Sequence, residues 1–219
     1  MKLTKFLSKI LNSFRLIGLL RHKYYIRAAW RVYKKLHEIA EQHPDPNVHF
    51  PKLINYLRKL NKSPFVFEEL ILSVIEHSNV RVIRNLAYTG DGGIDGRFKL
   101  PEGVVLVQCK CYTGYIDNKH VTDLAQKVKQ LKCAYGIFVH TGKTGELSKT
   151  VAYQHGNIMY ISGPLLLDFI FGRKLMADYL AKKIKTMKEH DAAGTRPPAP
   201  SFKAIRKSSA SRKLTSSKS

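Results

Sequence analysis

The residues of this sequence best placed to do chemistry are Asp95, Gln108 and Lys110, in the stretch GDGGIDGRFKLPEGVVLVQCKCY that runs from Gly90 to Tyr112. Asp91 and Asp95 sit four apart in a glycine-rich turn, and Lys110, fifteen residues after Asp95, interrupts a run that is otherwise apolar and strand-like. Alternate residues of a strand share a face, so Gln108 and Lys110 point the same way. A turn centred near Glu102 lays Asp95 opposite Cys109, within one residue, and gathers Asp95, Gln108 and Lys110 at one end of a hairpin. A carboxylate beside a lysine there could be only an ion pair. It is also the set a metal-dependent phosphodiesterase needs. A hard oxygen ligand holds Mg2+ or Mn2+, neighbouring carbonyl oxygens such as that of Cys109 complete the shell, and a lysine orients or deprotonates the attacking water.

A further acid would strengthen that set, and the preceding helix offers two. Its apolar stripe is Phe67, Leu70, Ile71, Val74 and Ile75. Glu68 neighbours Ile71, Leu72 and Ile75, at the edge of the buried face; Glu69 neighbours Ser73 and Glu76, on the side expected to be wet. Glu68 is therefore the candidate, set against the plainer role of a negative charge near a helix N-terminus. Asp91 is expected to close the turn through its own side chain.

The elements that must position these residues follow from periodicity and punctuation. Residues 1–42 read as one basic helix, with Phe6, Ile10, Phe14, Ile17 and Leu20 as a stripe that Ile26, Trp30, Tyr33 and Leu36 continue. His43 to Asn47 is a break, and a short helix from about Pro51 to Leu60 follows. Helix is expected over 65–76, 117–132, 145–155, 164–171 and on to about 188, and strand over 80–86, 94–100, 104–112, 134–140 and 157–161. Asp117 is the expected cap of the second of these helices. This order predicts an α/β domain with a mixed sheet covered by helices. The organisation expected is a basic helical N-terminal extension at 1–62, a core domain with a C-terminal helix at 63–189, and a disordered basic tail at 190–219.

Charge is the outlier of the composition. The chain carries 38 Lys and Arg against 16 Asp and Glu, a net +22 over 219 residues, which calls for a polyanionic partner. Residues 1–62 hold 14 basic and 3 acidic groups, and residues 190–219 hold 7 and 1, so the flanks carry most of the excess. Three cysteines form no disulfide framework and fit a reducing, cytoplasmic setting. Cys109 and Cys111 alternate along a strand, yet no second Cys or His pair stands at ligand spacing, so buried apolar side chains are the better reading than zinc. Lys5, Lys9 and Arg15 break every apolar run near the start, against a signal peptide, and no stretch has the length of a membrane span.

At this point the sequence resembles the Mrr-type branch of the PD-(D/E)XK nuclease superfamily, a group that includes methylation-dependent restriction endonucleases and is related to archaeal Holliday junction resolvases. FEELIL at 67–72, GDGGIDGRF at 90–98 and LVQCKCY at 106–112 carry the likeness. YGIFVHTG at 135–142 and NIMYISGPLLLDFI at 157–170 continue it, so it spans roughly 65–171. The resemblance implies a restriction-endonuclease-like core in which Asp95 binds metal, Gln108 holds the position usually taken by Glu, Lys110 is the catalytic lysine and Glu68 is the helix acid. Gln for Glu is a variant of this branch; its carbonyl oxygen still offers a metal ligand, with one negative charge fewer.

Several other features are weaker. HTGKTGE at 140–146 suggests a phosphate loop, but five residues separate Gly136 from Gly142 where the Walker pattern requires four. Thr141 and Lys143 could touch a DNA phosphate, or simply sit in a solvated loop. His120 and His140 lie near element ends, where surface or capping roles are expected. The basic helices could track a DNA backbone with salt-sensitive, sequence-independent affinity, or residues 1–20 could lie on an anionic membrane. The expectation is thus a metal-dependent DNA endonuclease that binds DNA, with a homodimer as an option. The alternatives are a structure-selective, junction-type nuclease, or a non-catalytic DNA-binding accessory protein with a vestigial core.

Overall fold

Two Asp-Pro and Ser-Pro steps open the helices that lead into the sheet. The computed structural model describes residues 2–85 and 92–194, with the side chains of 2–19 and 191 excepted. Helix α1 spans Lys2–Gln42, α2 Pro46–Arg58 and α3 Pro64–Glu76. Asp45 caps α2, its carboxylate accepting from the Asn47 amide at 2.9 Å, and Pro46 takes the first turn, where a missing N–H costs nothing. The helix thus starts five residues earlier than expected and Pro51 lies inside it, because Asp45-Pro46 is a cap rather than part of the break.

The strands are β1 (Val82–Arg84), β2 (Gly96–Leu100), β3 (Gly103–Lys110), β4 (Tyr135–His140) and β5 (Ile158–Ile161), in the sheet order β1-β2-β3-β4-β5. The first three run antiparallel, and β4 and β5 run parallel to β3. The remaining helices are α4 (Asn118–Gln130), α5 (Glu146–His155), α6 (Gly163–Ile170) and α7 (Met176–Ala192). Asp117 caps α4 as expected, accepting from the Lys119 amide at 2.9 Å.

Helices cover both faces of this mixed sheet. On one side Val105, Val107 and Cys109 join Phe98, Ile137 and Val139 beneath α3, α2, α6, α7 and the second half of α1. On the other, Leu106, Phe138 and Ile158 pack against Val121, Leu124 and Val128 of α4 and Ala152 of α5. Burial on both faces is why β3 reads as a near-continuous apolar run. Among the described side chains of α1 the buried ones are Ala29, Val32 and Leu36, whereas Trp30 is 44% exposed, edge-on to Tyr33 and His77, so the packed stripe there is rotated from the expected one. The proposed stripe from Phe6 to Ile17, Asp91, and residues 195–219 of the basic tail lie outside what the structure describes. Among the described residues, no helix is long and apolar enough to cross a membrane.

Candidate active site

The hairpin of β2 and β3 sets the geometry. Leu100 pairs with Gly103 and Gly96 with Val107, so the turn is the two residues Pro101 and Glu102. The paired ladder ends there, with Asp95 the residue just before it. Gln108 and Lys110 share the α4 side with Leu106, by alternation along β3.

At this point the ladder changes character. The Asp95 amide still donates to the Val107 carbonyl at 2.8 Å. The next amide in line, that of Cys109, donates to the Asp95 carboxylate Oδ2 at 2.6 Å. A side chain has replaced a backbone acceptor, which anchors the carboxylate at the strand end. In a strand the N–H and C=O of one residue point to the same side, so the Cys109 carbonyl is directed toward Asp95 as well.

Two glycines make room. Gly93 has φ +84°, and a Cβ there would stand 2.9 Å from Gln108 Nε2, so the turn folds directly over the carboxamide. A Cβ on Gly96 would come within 2.7 Å of Leu72, which lets α3 approach the start of β2. Gln108 is 4% exposed, and its Oε1 has no hydrogen-bond partner. A buried amide oxygen without a donor is open to a water or an ion.

Glu68 reaches the same strand end from the α3 face and is 8% exposed. Its position shows in the neighbouring thiols. Burial pushes Cys111 up to about 12, the Glu68 charge adds to the rise, and Lys110 opposes it. Cys109 is pushed well above the ordinary thiol value by burial first, then by Asp95 and Glu68, again with Lys110 opposing. Glu68, Asp95 and Lys110 thus surround the same end of β3. Both thiols are protonated near neutral pH and behave as apolar fillers.

Glu69 corrects the sequence reading, which placed it on the wet side. It is fully buried beneath α1. One oxygen accepts from Arg84 Nε at 2.7 Å, and the other faces His22 Nδ1 at 3.1 Å. Arg84 also forks onto Glu76 at 2.6 and 2.8 Å. Burial alone would lower the Arg84 pKa, but the hydrogen bonds to Glu76 and Glu69 outweigh it and hold the guanidinium above its ordinary value. The helix-neighbour argument failed here because α1 is a second wall that a wheel of α3 alone does not contain.

His140 and Thr141 also depart from expectation. His140 pairs with Lys110 in the β3–β4 register and is wholly buried, not a surface or capping residue. Burial lowers its pKa to about 4, so the ring is neutral near pH 7. Its Nε2 meets Thr144 Oγ1 at 3.1 Å. The Phe138-x-His140 alternation, parallel to Gln108-x-Lys110, was the available signal for it. Thr141 is buried; its hydroxyl donates to the Tyr112 carbonyl at 2.9 Å and accepts from the Tyr112 amide at 3.0 Å. It fixes the exit from β3 and is not presented to a phosphate, whereas Lys143 is exposed.

Among the described residues, no three His, Cys, Asp or Glu side chains come close enough to hold a metal ion by themselves. The donor set nevertheless fits a hard cation. The Asp95 carboxylate, the orphaned Gln108 Oε1 and the Cys109 carbonyl are all oxygens, with Glu68 on the far side.

A mixed sheet between helix layers, with an acid, an amide and a lysine at the frayed end of its central hairpin, is the frame of a restriction-endonuclease-like nuclease fold. The family model Mrr_cat, described as restriction endonuclease, matches residues 60–170. The chain belongs to that family. A solved structure of the MspJI restriction endonuclease in complex with a 27-mer oligonucleotide aligns with 61% of this chain, at 22% identity and a TM-score of 0.43. The alignment spans 34% of that protein, so this chain corresponds to about a third of it. No curated protein matches the chain.

Proposed function

We propose that this protein is a metal-dependent DNA endonuclease that hydrolyses phosphodiester bonds of the Mrr type, with Asp95, Gln108, Lys110 and Glu68 as its site and Mg2+ or Mn2+ as its ion. The observation that carries this reading is the buried, unpartnered Gln108 Oε1 at the strand end where the Cys109 amide anchors the Asp95 carboxylate. The net charge of +22 supports DNA as the polyanion.

In this reading Asp95, Gln108 Oε1, the Cys109 carbonyl and Glu68 hold the ion. When bound, it supplies positive charge against the charge that builds on the phosphate oxygens. Lys110, two residues beyond Gln108 on the same face, orients the attacking water and takes or relays its proton. Neutral His140 at its side adds no competing positive charge. Because Gln108 is uncharged, the carboxylates supply all the negative charge of the ligand set.

The test is incubation of the full chain with plasmid, methylated plasmid and branched DNA, each with Mg2+, with Mn2+ and with chelator. Metal-dependent nicking or linearisation of plasmid supports the reading. Cutting confined to branched DNA turns it into a junction-type nuclease. Binding without cutting in every case overturns it in favour of an accessory protein with a vestigial core.

A further inference from the structure

We propose that His22, on the long basic helix α1, is a positioning residue for the Asp95 end of the site, so that α1 is wired into the catalytic turn. This rests on the nuclease reading above. His22 lies between two acceptors. Its Nδ1 is 3.1 Å from Glu69 Oε1 and its Nε2 is 2.9 Å from the Asn85 carbonyl. Both partners present oxygen acceptors, so the ring stands between them. Glu69 is fully buried and also accepts from Arg84 Nε, which leaves its other oxygen to His22.

The linkage then runs onward. Asn85 follows β1, and its side-chain Nδ2 donates to the carbonyl of Ile94. Ile94 is the residue immediately before Asp95. The Asp95 amide donates to Val107, and its carboxylate accepts from Cys109. Asp95 is thus held from two directions. The β3 ladder fixes it on one side, and the chain His22, Asn85, Ile94 fixes its approach on the other. A side chain that orients a ligand through a hydrogen-bond relay typically changes metal affinity or activity by about 10- to 100-fold when removed.

The geometry also separates this role from that of a basic arm. A residue that only helps α1 grip DNA would change KM. A residue that sets the Asp95 geometry changes kcat and metal affinity with KM for DNA little altered.

The experiment uses the full chain and three variants: His22→Ala, Asn85→Ala and the double substitution. Amide deuterium exchange at residues 94–96 and 107–109, Mn2+ affinity by calorimetry, and kcat and KM on plasmid are measured for each. Each single variant is expected to speed exchange at Ile94 and Asp95 by about tenfold or more. Each should weaken Mn2+ binding and lower kcat by about 10- to 100-fold. The double variant should be no worse than either single one, because the two residues act in series. Unchanged exchange at 94–96 in both singles, additive effects in the double, or a rise in KM alone would each overturn the proposal. The exchange measurement needs no cleavage. A wild-type chain that never cuts but shows the coupled exchange refutes the nuclease reading and keeps the His22 linkage. A chain that cuts without the coupling does the reverse.

Discussion

Two consecutive glutamates of α3 are both nearly sealed from water, and their surroundings differ completely. Around Glu69, each oxygen is met: Arg84 donates to one, His22 stands at the other, and Arg84 reaches on to Glu76. Around Glu68 the neighbours are two raised thiols, Lys110 and the strand end where Gln108 Oε1 has no donor. A cluster that serves the fold closes its hydrogen bonds internally, because an unmet buried polar group costs about 1–3 kcal/mol. A site that takes a ligand leaves acceptors open and tolerates that cost. Neighbouring residues of one type thus meet different walls: for Glu69 it is α1 and β1, and for Glu68 the end of β3.

The contrast can be broken most sharply at the chemistry. Lys110→Ala and Asp95→Asn should each cut cleavage by about 100-fold or more, the range for loss of a proton-transfer group, with circular dichroism and melting temperature nearly unchanged. Asn is the better replacement for Asp95 because it keeps an acceptor for the Cys109 amide. Folded variants that cut at the wild-type rate would remove both residues from the site. The Glu69 side should behave in the opposite way. Arg84→Met leaves a buried carboxylate short of a partner and should destabilise the fold by about 3–5 kcal/mol in urea unfolding. Adding Glu69→Leu should recover much of that loss, since an apolar pair can replace a buried ionic one. A double variant as unstable as the single would mean that the cluster is held by something other than charge.

Gln108→Glu brings the two kinds of surroundings closer together. It places a second carboxylate at the strand end that carries Asp95, at a position that is 4% exposed, where like charges and burial both disfavour the ionised form. Without metal the variant should be less stable, by about 1–3 kcal/mol for an unmet buried group. With Mn2+ it should bind at least as tightly as wild type, so its metal-induced rise in melting temperature should be the larger. A folded variant that binds Mn2+ much more weakly, read by calorimetry, would show that residue 108 does not face the ion.

The strand order, the capped helix at Asp117 and the placing of Gln108 and Lys110 on one face of β3 were legible because each depends on local pattern: period two, a cap, a tight turn. The hairpin register was legible only to within one residue, since it depends on whether Gly103 belongs to the turn or to β3, and the sequence suits either. Glu69 and His140 were misplaced for one shared reason. Their burial comes from elements distant in sequence, α1 in one case and the parallel neighbour β3 in the other, and neither leaves a trace in the residues nearby. Trp30 erred the other way, as an apolar residue on a plausible stripe that the packing of Ala29 and Val32 turns outward.

The finest test of the two glutamates uses Cys111 as a reporter. Its thiol stands at about 12, raised by burial first and then by the charge of Glu68. Alkylation proceeds through the thiolate, so at pH 8 a raised pKa means a small reactive fraction and slow labelling. Glu68→Gln removes the nearby negative charge. The thiol pKa must then fall, the thiolate fraction at fixed pH must rise, and labelling of folded protein should speed up, about tenfold for each unit the pKa drops. Glu69→Gln should leave the Cys111 rate unchanged, because Glu69 is not among the charges acting on that thiol. Cys133 serves as the internal control: its thiol is raised mainly by burial and lowered by Arg97, with neither glutamate involved. Peptide-resolved labelling rates in the folded protein decide the matter. Equal acceleration at Cys111 and Cys133 would reveal general loosening instead of charge. A Glu68→Gln rate at Cys111 no faster than wild type would place Glu68 away from the strand end and leave Asp95 as the only nearby carboxylate in the proposed ligand set.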